Sequence, residues 1–149
     1  MLQAAEELHL LLVPGGKSFH VGDPIRITWL LENRSKNTQS VIAFHDSGNL
    51  AQFDELSLQV SRNNGPWQAV SLARPGTVAR VVWRDLQPGA TLFQQFDLAA
   101  AMSVSGLKLD PGTYRLKGEY ALASLRTDAG RPSWSGHVAT DQIVTFDVS

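Results

Sequence analysis

The chain contains no cysteine. That absence excludes disulfide frameworks, thiolate zinc sites, iron–sulfur clusters and thiol nucleophiles, and it leaves the compartment open. Strong charge is missing too: 13 Lys and Arg stand against 14 Asp and Glu, a net charge of −1. The chain as a whole therefore offers no electrostatic attraction for nucleic acid. No apolar run approaches the roughly 20 residues that span a bilayer, so no membrane insertion is expected. Residues 1–13 lack the positive start and small-residue cleavage site of a signal peptide, and Glu6 and Glu7 precede a short apolar stretch. As written the chain reads as cytoplasmic, with an exported mature domain as the alternative. Long 3.6-residue apolar periodicity is also absent, which argues against a helical fold.

What is present is a chain of 149 residues, the usual size of one domain, so residues 1–149 are read as a single unit. A domain of this size buries about two-thirds of its unfolded surface and needs no covalent or metal staple. Gly, Pro, Asn and Asp punctuate it at short intervals, and period-two alternation recurs between them. Ile25, Ile27, Trp29 and Leu31 point one way, and Arg26, Thr28 and Glu32 the other, with Leu30 as the exception. Leu8 to Val13 reads as a first strand. Leu56, Leu58 and Val60 alternate with Ser57, Gln59 and Ser61, and Asn63-Asn64-Gly65 then marks a hairpin whose return strand is Trp67 to Leu72.

Further strands are expected at Val78 to Trp83, at Thr91 to Leu98 with Gln94 out of pattern, at Tyr114 to Tyr120 and at Ile143 to Val148. In the Tyr114 strand, Arg115, Lys117 and Glu119 are expected to stay in water. Leu98 to Met102 is one short Ala-rich helical piece. About seven to nine strands, with turns about every 8–12 residues, describe an all-β antiparallel sandwich.

Leu109-Asp110-Pro111-Gly112-Thr113-Tyr114 resembles the approach to the penultimate strand of immunoglobulin-like and fibronectin III-like domains. The resemblance implies that the Tyr114 hydroxyl folds back onto the backbone, a tyrosine corner. The disulfide and packing Trp of antibody domains are missing as a set. Gly22-Asp23-Pro24-Ile25, Leu31-Glu32-Asn33-Arg34-Ser35, Leu86-Gln87-Pro88-Gly89 and Pro111-Gly112-Thr113-Tyr114 follow one another as in the bacterial intracellular proteinase inhibitors of the Bacillus subtilis type. The chain resembles that family across most of its length, which implies an immunoglobulin-like sandwich and, as an activity, proteinase inhibition.

Motifs that carry chemistry fail on mechanism. Gly15-Gly16-Lys17-Ser18 lacks the earlier Gly and the following helix of a phosphate loop. His45-Asp46-Ser47 holds the residue types of a hydrolase triad, but neighbours on one strand cannot converge. His9, His20, His45 and His137 are far apart, and Asp46, Asp54 and Glu55 match no calcium-loop spacing. An enzyme or metal site would need distant residues such as His45 and Asp54 to meet. Asn33-Arg34-Ser35 is formally a glycosylation sequon, and Asn33 reads better as a turn former. No catalytic residue, metal ligand or cofactor is assigned.

The expected function is therefore a non-catalytic protein-interaction or scaffolding module that binds through end loops or a sheet edge. Proteinase inhibition and carbohydrate binding are the alternatives. The candidate binding residues are Arg126, Arg131, Trp134 and His137 in the long connection before the last strand, together with Trp67. Arg and Trp are the residues most enriched at binding hot spots. Trp134 either anchors a partner or folds back to cover the end of the sandwich. Trp67 is the candidate platform for a sugar ring. Arg74, Arg80, Trp83 and Arg84 form a locally cationic cluster that Trp83, if turned to the core, would break up. The apolar first strand could also pair with a second copy to give a homodimer.

Overall fold

The computed structural model describes residues 7–47, 50–73 and 80–149. Its fold is an all-β sandwich of mainly antiparallel sheets. The elements are β1 (Leu8–Pro14), β2 (Ser18–Phe19), β3 (Arg26–Asn33), β4 (Gln39–Ser47), β5 (Leu50–Gln52), β6 (Leu56–Arg62) and β7 (Gln68–Val70). They continue with β8 (Arg80–Leu86), β9 (Thr91–Asp97), α1 (Leu98–Val104), β10 (Gly112–Leu122), β11 (Gly136–Ala139) and β12 (Val144–Val148). Arg74 and Val78 lie outside the described residues, and the strand expected from Val78 is described from Arg80 and runs on to Leu86.

Strands β1-β3-β9 form one three-stranded sheet and β5-β4-β8 another. The largest sheet runs β2-β12-β10-β6-β7, with β11 paired to β10 beyond the end of β12. Pairing between strands is antiparallel except where β2 meets β12. Both small sheets face the large one. Trp29 on β3 stacks on Tyr120 of β10 at a centroid distance of 6.2 Å, and the Tyr120 hydroxyl reaches the backbone of Ile42 on β4.

The alternation in the sequence places the core. Ile25, Ile27, Trp29 and Leu31 are fully buried, as are Leu56, Leu58 and Val60 to within a few per cent. On β10 the inward positions are Tyr114, Leu116, Gly118, Tyr120 and Leu122. Gly118 supplies room there: a Cβ at this position would sit 2.9 Å from Leu58 Cδ2 and 3.2 Å from the Ser57 carbonyl. Gln94, the residue that breaks the pattern in β9, is half-buried opposite Trp29.

Local chemistry sets the turns. In the hairpin after β6 it is Asn63 and Asn64 that take positive φ, 51° and 59°, and the Gly65 amide donates to the Arg62 carbonyl at 2.9 Å. Pro88 and Gly89 form the centre of a turn closed by Ala90 N–H to the Gln87 carbonyl at 2.9 Å. Gly89 has φ of 82°, the value that position of a Pro-Gly turn requires. The Tyr114 hydroxyl donates to the Asp110 carbonyl at 2.6 Å, so the tyrosine corner is formed. Leu98 starts α1 instead of ending β9, because Asp97 Oδ1 accepts from the amides of Ala99 and Ile25, each at 3.0 Å.

Asn33 is fully buried at the end of β3. Its side chain donates to the carbonyls of Asn37 at 2.8 Å and Leu86 at 2.7 Å, and it accepts from Ser35. It shapes the turn, and its amide is enclosed. Gly15 and Gly16 form a turn between β1 and β2, with no helix after Ser18.

Candidate functional site

Strand alternation buries every second residue, so an apolar residue on the wet side is a local misfit. Leu11, Leu30 and Phe93 are three such misfits. Each lies between buried or half-buried inward residues, as Leu30 does between Trp29 and Leu31. The register brings them together: Leu11 pairs with Leu30, and Leu30 pairs with Phe93. Neighbouring strands lie about 4.8 Å apart, so the three form a continuous apolar row about 10 Å long on the outer face. Phe93 is 65% exposed and Leu11 39%, and Val13 at 48% extends the patch along β1.

Polar side chains border the row. Glu32 lies on one side, taking a hydrogen bond from Arg34 Nε at 2.5 Å. His9 is opposite Glu32 and places Nδ1 3.3 Å from the Asp141 carboxylate. On the other side Gln95 donates to Thr28 Oγ1 at 3.3 Å. An apolar centre with a satisfied polar rim is the anatomy of a protein interface. In the sequence only Leu30 stood out, as an exception to its strand. The alignment of all three depends on which strands pair and in what register.

The long connection before β11 is held against the β4–β8 sheet. The Trp134 amide donates to the Ser40 carbonyl at 2.9 Å, and Arg126 and Ser133 exchange hydrogen bonds of 2.7 and 2.9 Å. Trp134 is 4% exposed and packs at 5.9 Å from the Tyr120 ring. Its place as an exposed anchor is therefore corrected: the indole closes the core, which gains more from a large apolar ring than water does. Arg126 lies 5.4 Å over the half-buried Trp83 ring and pairs with Asp128 at 2.7 Å. Arg131 pairs with Asp85 at 3.4 Å, and exposed His137 sits 4.0 Å from Glu119. These three stay at the surface, Arg126 and Arg131 in the loop and His137 on β11, each already beside a carboxylate. Arg80 and Arg84 are exposed on β8.

Trp67 lies just before β7, half-buried on the outer face of the large sheet. Arg115 and Lys117 place their cationic groups 4.8 and 4.1 Å from its ring centroid. Both side chains are half-buried there, so the expectation that they stand free in water is corrected for these two.

His45 and Asp54 do meet. His45 Nε2 is 2.9 Å from Glu55 Oε1 and 3.6 Å from Asp54 Oδ2. Burial pushes the Glu55 carboxyl above its ordinary range, against the opposing pull of His45. Both carboxylates address the same ring nitrogen, which is thereby engaged as a donor, and among the described residues no group of His, Asp and Glu is arranged to hold a metal ion. His45, Asp46 and Ser47 follow one another within β4. A groove of about 330 Å³ between β9, α1 and residues 71–73 is walled mainly by Phe53, Phe96, Leu72 and Val104. Its carboxylate, Asp97, is committed to two backbone amides. Among the described residues no helix is long and apolar enough to cross a membrane.

No family model matches the chain, and no curated protein matches it in sequence. Among solved structures it is similar to part of a β-glucosidase from Erythrobacter marinus, at 13% identity and a TM-score of 0.48, over 95% of this chain and 15% of that one. It is similar to a sporulation control protein from Bacillus subtilis at 10% identity and a TM-score of 0.45, over 96% of this chain and 49% of that one. It is also similar to the CARDB domain of a Pyrococcus furiosus protein, at 9% identity and a TM-score of 0.42, over 95% of this chain and 87% of that domain. The chain thus spans less than half the length of the first two.

Proposed function

We propose that this chain is a non-catalytic interaction module that docks a folded protein partner on the outer face of the β1-β3-β9 sheet. The observation that carries this reading is the in-register row Leu11–Leu30–Phe93, with Phe93 65% exposed. Fully burying a Leu or Phe side chain contributes about 1.5–3 kcal/mol, so a partner covering the row gains most from these residues. The partner is expected to present a complementary apolar patch with polar groups facing Glu32, Arg34 and Gln95.

The test is a photo-reactive residue at position 93, with Leu30→Lys as the loss variant and Arg131→Ala as a control away from the row. Crosslinking to a defined protein that Leu30→Lys abolishes and Arg131→Ala leaves intact supports the reading. A crosslink to a second copy of the chain identifies the partner as itself and favours the face over the β1 edge as the dimer contact. Crosslinking indifferent to Leu30→Lys would sink it. Proteinase inhibition is the second reading, resting on the turn motifs alone. It asks for a protruding loop, and the long connection is instead packed down through Trp134. Inactivity against a panel of serine proteinases would remove it.

A further inference from the structure

The outer face of the large sheet carries a different arrangement from the apolar row. Arg115 and Lys117 are two residues apart on β10, so their side chains leave the same face of one strand about 7 Å apart. Two like charges that close repel. Among the described residues, however, neither has a carboxylate within ion-pair distance. The residues directly opposite them are neutral, with Ser61 and Thr145 flanking Arg115 and Gln59 facing Lys117. The two acids on this face are turned to other residues, Glu119 toward His137 at 4.0 Å and Asp147 to the Thr113 hydroxyl at 2.8 Å.

Arg115 uses one terminal nitrogen on Ser61 Oγ at 3.2 Å, and its Nε is buried without a hydrogen-bond partner. Trp67 holds both cations in place, at 4.8 and 4.1 Å from its ring centroid. A cation–π contact orients a cation without neutralising it. Two cations fixed beside an indole, flanked by hydroxyl and amide side chains and with the acids of the same face engaged by His137 and Thr113, leave an anion position open.

We propose that this face binds an acidic saccharide. The sugar's oxyanion, a carboxylate or a sulfate ester, would bridge Lys117 Nζ and the Arg115 guanidinium. Its ring would lie against Trp67, and its hydroxyls would reach Gln59 and Thr145. Charge-assisted hydrogen bonds supply most of the affinity, and the amide and hydroxyl neighbours suit a ligand rich in hydroxyl groups. This site is independent of the apolar row and of its partner.

The test is a nuclear magnetic resonance titration of the whole chain, following the Trp67 indole N–H. The probes are an oligogalacturonate, a sulfated oligosaccharide, a neutral galacto-oligosaccharide of the same length and a Glu-rich peptide. One or both acidic saccharides should shift the Trp67 signal, and the effect should weaken as salt rises. Lys117→Gln, and Trp67→Ala followed through the Lys117 backbone amide, should each weaken binding about tenfold, and Lys117→Arg should retain it. The uronate and sulfate arms decide which oxyanion is preferred. Equal binding of the neutral sugar, preferential binding of the peptide, no shift with either acidic sugar, or full binding by Lys117→Gln would each overturn the proposal. Circular dichroism of each variant separates lost binding from lost fold.

Discussion

The Tyr120 hydroxyl closes two hydrogen bonds with one backbone residue, donating to the Ile42 carbonyl at 2.9 Å and accepting from the Ile42 amide at 3.0 Å. The register of β4 against β8 shifts between Ile42 and Phe44, which disturbs the ladder at this point. A phenol from the opposite sheet thus satisfies groups that the irregular ladder would otherwise leave buried and unpaired.

Tyr120→Phe removes both bonds while keeping the ring, so it isolates that contribution. Leaving buried backbone groups unsatisfied costs about 1–3 kcal/mol, and each kcal/mol shifts the melting midpoint by roughly 2–4 °C at this size. Burial, with a smaller contribution from Glu55, also holds the Tyr120 ionisation far above its ordinary range. A raised folded value contributes stability that is complete below about pH 10 and is lost as pH rises beyond it. Chemical denaturation at pH 7 and pH 11 should show the parent losing more stability than Tyr120→Phe; parallel losses would contradict the assignment.

Glu55 offers a second pH test. Burial raises its folded ionisation, so the carboxyl contributes stability below its ordinary value of 4.5, and that contribution is lost as pH climbs through the raised folded value. Glu55→Gln cannot ionise and keeps an amide oxygen for His45. Relative to the parent it should gain stability between pH 4 and pH 7. Unfolding midpoints that track each other across this range would show that burial does not govern the group.

Asn33 is expected to be intolerant of change. Alanine there strips a donor pair from the Asn37 and Leu86 carbonyls and leaves the Leu86 carbonyl enclosed. A loss of at least about 2 kcal/mol is expected, read from urea denaturation. Ser35→Ala, which gives up hydrogen bonds nearer the surface, should cost clearly less. Equal effects would place the importance of the turn elsewhere.

Trp134 separates packing from recognition. Its indole nitrogen is buried without a partner, so Trp134→Phe gives up no hydrogen bond, leaves a smaller cavity than alanine and should cost clearly less than Trp134→Ala. Trp134→Ala opens a cavity beside Tyr120 and should cost about 3–5 kcal/mol. If Trp134→Ala melts like the parent, the ring is not part of the core.

Much of the fold was legible along the chain because its causes are local. Alternation located Ile27, Trp29 and Leu31 in the core, and Pro88-Gly89 and Asn63-Asn64 marked turns through the φ angles those residues accept. The Tyr114 corner, implied by the resemblance of Leu109–Tyr114 to known sandwich domains, is likewise local: the hydroxyl bonds four residues back. The candidate sites were not legible in the same way. Alternation shows Leu30 as a misfit but is silent on its neighbours across the sheet. Trp67 read as a lone aromatic because Arg115 and Lys117 are almost fifty residues away in sequence.

The sequence by itself determined most of the strands, many of the turns and the apolar face of those strands, since each depends on a few adjacent residues. It did not mark β4, whose Val41, Ile42 and Ala43 are all buried without alternation, nor the short β2, β5 and β11. Only the tertiary structure decided that Leu11, Leu30 and Phe93 share a row, that Trp134 is inside and Trp67 stands beside two cations, and that His45 meets Glu55. Those facts depend on strand pairing and register between distant segments, where a slip of one residue would turn each side chain to the other face.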